Sequence, residues 1–263
     1  MSARPRKRRG KVIIRHGLPQ INNAGNMNQA SSGDNSREIK TERFRLTHPS
    51  VASQDVEVVY TNDVSEAENW LREHITACAA RIVGFDIEWK PESDRGTENQ
   101  PAVLQLGVKT SCLVLHICHM SELPRSLISI LGDETILKVG VGIKEDASKL
   151  TRHRELVCEG MIDIQKMLQT TDGLKTLAKH FLGIELEKDK SVTTSDWEIY
   201  FPLSSRQIEY AALDAWAGVK IYHAIVQDQQ GTSAQYNEAL SGSVNDHPTT
   251  SLQSPRPGCS KAD

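Results

Sequence analysis

The seven residues Val83-Gly84-Phe85-Asp86-Ile87-Glu88-Trp89 constrain this chain more than any other segment. Side chains of an extended strand alternate between faces. Val83, Phe85, Ile87 and Trp89 therefore share one face, and Gly84, Asp86 and Glu88 share the other. A run this apolar reads as a central strand. Two acids on such a strand repel each other and are costly to desolvate. A divalent cation resolves both problems, and hard oxygen ligands suit Mg²⁺ or Mn²⁺. The plainer reading is a solvent-exposed sheet face with two ordinary acids, and this segment alone does not choose between them.

Strands and helices alternate around this run. Residues 56–60, 81–89, 102–108, 112–117 and 136–141 read as strands. Helices are expected over 66–80 and near 122–131. Leu174, Leu177, Ala178, Phe181 and Leu182 then repeat at helical spacing, with Gly183 at the expected stop. A last helix starts at Ser204, where Ser204 and Gln207 fit a capping box. Its apolar stripe is Ile208, Ala211, Ala212, Ala215, Val219 and Tyr222. Early strands followed by strand and helix alternation predict an α/β fold, a mixed sheet with helices on it.

One folded domain is expected over 54–228, with no internal repeat. Residues 1–53 read as a disordered basic and polar tail, and 229–263 as a second disordered tail. The basic cluster Arg4, Arg6, Lys7, Arg8, Arg9 and Lys11 reads as a nuclear import signal, a phosphate-contacting arm or a plain solvated tail. The expected location is nuclear, otherwise cytoplasmic. The net charge of −3 excludes general basic adhesion to nucleic acid, so any such binding must be local. Five cysteines without a CxxC pair fit neither a disulfide scaffold nor a structural zinc site. No apolar run approaches the roughly 18 residues of a membrane span, and no signal peptide is visible.

Two further segments carry chemistry. In Val139-Gly140-Val141-Gly142-Ile143-Lys144-Glu145-Asp146 a strand gives way to a helix. Acids in a first helical turn are favoured by the helix dipole, so Asp146 and Glu145 have a purely structural reading as well. The glycines match neither a dinucleotide fingerprint nor a phosphate-binding loop, so no ATPase motor is visible. In Tyr210-Ala211-Ala212-Leu213-Asp214, the tyrosine and the acid stand one turn apart on one helical face, off the apolar stripe.

Together, in order and spacing, these segments resemble the four-carboxylate 3′–5′ exonucleases of the proofreading type. Asp86-Ile87-Glu88 matches the first motif, Asp146 the second, and Tyr210 with Asp214 the third. Glu209 stands where a sister subclass carries histidine, which indicates the tyrosine subclass. Phe85-Asp86-Ile87-Glu88-Trp89, Leu104-Gln105-Leu106, Val139-Gly140-Val141-Gly142-Ile143, Ser195-Asp196-Trp197-Glu198 and Tyr210-Ala211-Ala212-Leu213-Asp214-Ala215 are similar to the Werner-syndrome-type exonuclease domain. The resemblance covers essentially the whole folded region.

It implies a ribonuclease-H-like mixed sheet of five to six strands flanked by helices. It also implies two Mg²⁺ or Mn²⁺ ions held by Asp86, Glu88, Asp146 and Asp214, with Asp86 bridging and Tyr210 orienting the attacking water. Products would be nucleoside monophosphates from single-stranded or recessed 3′ ends, DNA favoured over RNA. A separate helicase or repair and processing partner is a further expectation, no membrane is involved, and the oligomeric state stays open. Two alternatives remain, an RNA-trimming exonuclease and a catalytically silent nucleic-acid-binding module on the same fold. By analogy, Leu104 and Gln105 line the terminal-nucleotide pocket. Lys144, Lys149, Lys190 and Arg206 are candidates to hold phosphates, and each also reads as a solvated surface charge.

Overall fold

The strand predicted to be central is central. A computed structural model describes residues 41–49, 51, 54–92, 98–187, 189–200 and 202–242. The strands are β1 (Thr41–Arg45), β2 (Glu57–Thr61), β3 (Ile82–Glu88), β4 (Val103–Gly107), β5 (Ser111–Leu115), β6 (Leu137–Gly140) and β7 (Met161–Asp163). They form one mixed sheet in the order β1-β2-β5-β4-β3-β6-β7. β4 runs antiparallel to both β3 and β5, while β3, β6 and β7 are parallel to one another.

The helices are α1 (Val64–Leu71), α2 (Arg125–Gly132), α3 (Ile143–Arg154), α4 (Ile164–Leu168), α5 (Leu174–Leu182), α6 (Lys190–Thr193) and α7 (Ser205–Gly242). Two apolar layers sandwich the sheet. On one side Val83, Phe85 and Ile87 of β3 and Leu104 and Leu106 of β4 pack with Trp70, Leu71, Leu127, Leu131 and Leu150. On the other, Val103 and Val114 pack with Leu177 and Ala178 of α5 and with Ile208, Ala211, Ala212 and Trp216 of α7.

The helix signals in the sequence act as expected. Ser204 Oγ accepts from the Gln207 backbone N–H at 3.3 Å, and Gln207 Oε1 accepts from the Ser204 N–H at 3.0 Å, the reciprocal capping box. Gly183 closes α5 with φ +67°, a left-handed conformation that glycine adopts without cost.

Three expectations are corrected. The sheet has seven strands rather than five or six. β1 falls inside the segment read as tail, because Thr-Glu-Arg-Phe-Arg is an edge strand with charged side chains and no apolar alternation. β7 is three residues long, too short to show any period. At the other end, α7 continues to Gly242, past the boundary drawn at 228 from composition. The basic cluster at the N-terminus and residues 243–263 lie outside the described residues. No helix among the described residues is long and apolar enough to cross a membrane.

What positions α7 is the absence of two side chains. Gly84 on β3 and Gly107 on β4 are cross-strand partners. A Cβ on Gly84 would lie 1.9 Å from the Ala215 carbonyl oxygen, and one on Gly107 would lie 3.0 Å from it. Gly84→Ala is therefore expected to cost more than about 3 kcal/mol, the upper end for overpacking, because the obstacle is helix backbone. Gly173→Ala, where a Cβ would meet nothing within 4 Å, should cost only the poorer N-cap of α5, about 1 kcal/mol or less. Thermal unfolding of the two variants checks the contrast, and equal effects would contradict it.

Candidate active site

Because α7 lies directly on β3 and β4, its residue Asp214 reaches the acidic face of β3. One carboxylate oxygen from each of Asp86, Glu88 and Asp214 lies within 4.8 Å of the others. Asp146, buried in the first turn of α3, stands outside this trio but joins it in one cleft of about 360 Å³. The cleft is lined by Asp86, Glu88, Asp146, Tyr210 and Asp214, together with Trp89, Gly142 and Gln165. The structure thus brings all five sequence-predicted residues together.

The electrostatics follow from this crowding. Burial raises the Asp86 carboxyl well above the usual range, and Glu88, Asp214 and Asp146 push the same way in that order. Asp146 is pushed up to about 7, chiefly by burial and then by Glu145 and Asp163, while Lys149 opposes the shift. Burial holds the Tyr210 hydroxyl far above its ordinary value. Asp214 and Glu88 add to this, and the phenol donates a hydrogen bond to Asp214. The site has carboxylate oxygens in excess and protons or a cation in demand, which suits a hard divalent cation.

Each side chain is held by a local device. The β6–α3 turn that delivers Asp146 passes through Gly142 at φ +80°. Asp163 Oδ1 anchors that turn, accepting from the N–H groups of Gly142 and Gln165, both at 3.1 Å. Tyr210 packs beside the fully buried Trp197, ring centroids 6.3 Å apart, so Trp197 is a packing residue rather than a base-stacking one. The segment carrying Trp197 is pinned from below. His116 Nε2 donates to the Trp197 carbonyl at 3.0 Å, and Nδ1 accepts from the Tyr60 hydroxyl at 2.7 Å. Burial, with His119 nearby, pushes His116 down to about 4, so it stays neutral as this pattern requires. Lys90 ties the end of β3 to Asp196 at 2.7 Å.

Other polar expectations sort differently. Lys149 is buried rather than solvated, bonded to Glu98 at 3.0 Å and stacked 4.6 Å from the Trp89 ring centre. Lys144, Lys190 and Arg206 are exposed, and Arg206 is paired with Asp189. Leu104 points into the opposite apolar layer and does not line the cleft. Asp163 was missed from sequence, although Asp before a short helix is a capping signal. His116, Cys118 and His119 also offer three ligand atoms within 4.8 Å. Both His116 nitrogens are already bonded, however, and His119 Nε2 donates to the Ile199 carbonyl at 2.7 Å.

Comparison with known proteins agrees with this geometry. A family model described as 3′–5′ exonuclease matches residues 58–229. The mouse bifunctional 3′–5′ exonuclease/ATP-dependent helicase WRN is 37% identical over 177 residues, covering 64% of this chain and 12% of that protein. Exonuclease 3′–5′ domain-containing protein 2 of Drosophila melanogaster is 32% identical over 155 residues, covering 57% of this chain and 26% of that one. The chain therefore matches only a minor part of each of these two relatives. The structure of Trypanosoma brucei RNase D in complex with RNA U12 shares the fold, with a TM-score of 0.55 and 19% identity over 64% of this chain and 62% of that one. With the family match spanning well over half of its 263 residues, the chain belongs to the 3′–5′ exonuclease family.

Proposed function

We propose that this protein hydrolyses phosphodiester bonds at the 3′ ends of nucleic acids and releases nucleoside monophosphates, with two Mg²⁺ or Mn²⁺ ions as cofactors. The observation that carries the reading is the convergence of Asp86, Glu88 and Asp214 within 4.8 Å, with Asp146 and Tyr210 in the same cleft. Asp86, central in the group, would hold the ions together with Glu88, Asp146 and Asp214. Such ions supply charge neutralisation at the scissile phosphate and an acidified water.

The chain's own residues do the rest. Tyr210 keeps its proton at neutral pH, because burial and its acidic neighbours hold the hydroxyl far above the ordinary value of 10.0. Its part is to orient the attacking water through the phenol oxygen, with Asp214 fixing the direction of the O–H bond. Trp197 sets the ring position from behind. Nucleic acid with a single-stranded or recessed 3′ end is the proposed substrate, DNA ahead of RNA. The RNA reading draws on the fold shared with the RNA-bound RNase D. A separate helicase or repair partner, and a nuclear location, are further proposals resting on the sequence alone.

The cation reading fixes the sign of a pH effect. Asp146 binds its proton more tightly in the folded chain, at about 7, than at the ordinary 3.8, and Asp86 shifts the same way. His116, held down at about 4, contributes with the opposite sign, but protonation of the acids supports the fold, and their contribution to metal-free stability should fall as pH rises from about 4 to about 7. Mn²⁺ should remove that slope. Thermal unfolding of the protein and of Asp146→Asn across this range, with chelator and with Mn²⁺, checks it, and equal metal-free slopes for the two would mean that crowding does not raise Asp146.

Activity is tested with end-labelled single-stranded DNA, recessed-3′ duplex and single-stranded RNA, each with Mg²⁺, Mn²⁺ or chelator. The expected result is a metal-dependent ladder shortening from the 3′ end and lost by at least about 10³-fold in Asp86→Ala. Tyr210→Phe should lower kcat by up to about 100-fold, the scale of a misplaced reacting group, while Mn²⁺ binding stays intact. Tight Mn²⁺ binding without cleavage of any substrate would favour the silent binding module.

A further inference from the structure

Gln105 sits where an apolar side chain would fit the surroundings better. It lies on β4 with none of its surface exposed. Neither its Nε2 nor its Oε1 has a hydrogen-bond partner. Among the described residues no other side chain buries a whole amide unbonded. Buried polar groups are almost always paired, since an unmade bond there carries the full desolvation penalty. Methionine or leucine at this position would avoid that penalty, so the retained amide calls for a reason outside packing.

Its position supplies one. In the β3–β4 ladder Gln105 stands directly opposite Asp86. Directly opposed residues of an antiparallel pair share a face, with Cβ atoms about 5 Å apart. On its other side Gln105 faces Val114 of β5. Asp86 is therefore the only polar side chain in register with it. The shared face is the one against α7. Gly84, two residues before Asp86, and Gly107, two residues after Gln105, both lie beneath the Ala215 carbonyl. The amide thus belongs to the layer that holds Asp214, behind the acidic trio rather than in the open cleft, whose lining does not include it.

Carboxylates that hold metal ions are commonly oriented by a hydrogen-bond donor on the side away from the ion. The Asp86 carboxylate accepts from the Ile87 backbone N–H, which acts from its own strand. The terminal torsion of a glutamine is soft, so a small rotation changes where its N–H groups point. We propose that Gln105 is a positioning residue whose Nε2–H donates to the Asp86 carboxylate when that group engages a divalent cation, fixing which oxygen faces the ion. This rests on the reading of Asp86 as a cation ligand.

The test uses the full chain and its Gln105→Met and Gln105→Leu variants. Three quantities are read, the thermal midpoint in chelator, Mn²⁺ affinity by calorimetry, and kcat with KM on the best DNA substrate. The expected result is a metal-free midpoint equal to or above that of the unsubstituted protein, with Mn²⁺ binding weakened about tenfold or more. Lower kcat at nearly unchanged KM should accompany it. Unchanged Mn²⁺ affinity in the two variants would overturn the proposal. Weaker binding together with a clearly lowered metal-free midpoint in both, or failure of both to fold, would mark a structural role and overturn it too. If the unsubstituted protein binds no Mn²⁺, the cation reading itself falls and the role of Gln105 with it.

Discussion

The contact on which the site depends is backbone against backbone. α7 rests on β3 and β4 where Gly84 and Gly107 leave room for the Ala215 carbonyl. Asp214 immediately precedes Ala215 in the chain, and Tyr210 stands one helical turn earlier. Moving the helix outward by the thickness of one methyl group would draw its acid and its tyrosine away from Asp86 and Glu88. Gly218 continues the approach further along, where a Cβ would lie 3.2 Å from the Val139 carbonyl oxygen. Small residues here serve proximity of charge rather than flexibility of chain.

That proximity is unfavourable by itself. Carboxylates gathered at low exposure raise one another's pKa and resist ionisation. The opposing stabilisation comes from apolar burial on both faces of the sheet. Val83, Phe85 and Ile87 fix β3 from one side, and the α5 and α7 layer closes the other. Polar fastenings then set orientation. The capping box fixes where α7 begins, and the Tyr60–His116–Trp197 chain holds the segment that backs Tyr210. A strained acidic centre inside a well-packed frame is what a site built for cations requires, since the cations then relieve the repulsion instead of competing with it.

The parts of this design legible in the sequence are those with a period. Alternation exposed the acidic face of β3, and helical spacing put Tyr210 and Asp214 on one face. Asp146 was legible only in combination, because an acid in a first turn has a structural reading of its own. Elements without a period were missed. β1 is charged and at an edge, β7 is three residues long, and the polar end of α7 looked like tail. Lys149 looked like a surface charge because a single sequence does not show that Glu98 and Trp89 come to enclose it. The opposition of Gln105 and Asp86 is a matter of strand register, which belongs to the fold rather than to either segment.

The central claim is that the four acids form a cation site. Anomalous scattering from crystals of the protein soaked in Mn²⁺ and a nucleoside monophosphate tests it most directly. The account predicts two peaks among Asp86, Glu88, Asp146 and Asp214, with Tyr210 facing the phosphate. No peak there, or manganese found instead at His116, Cys118 and His119, would contradict it.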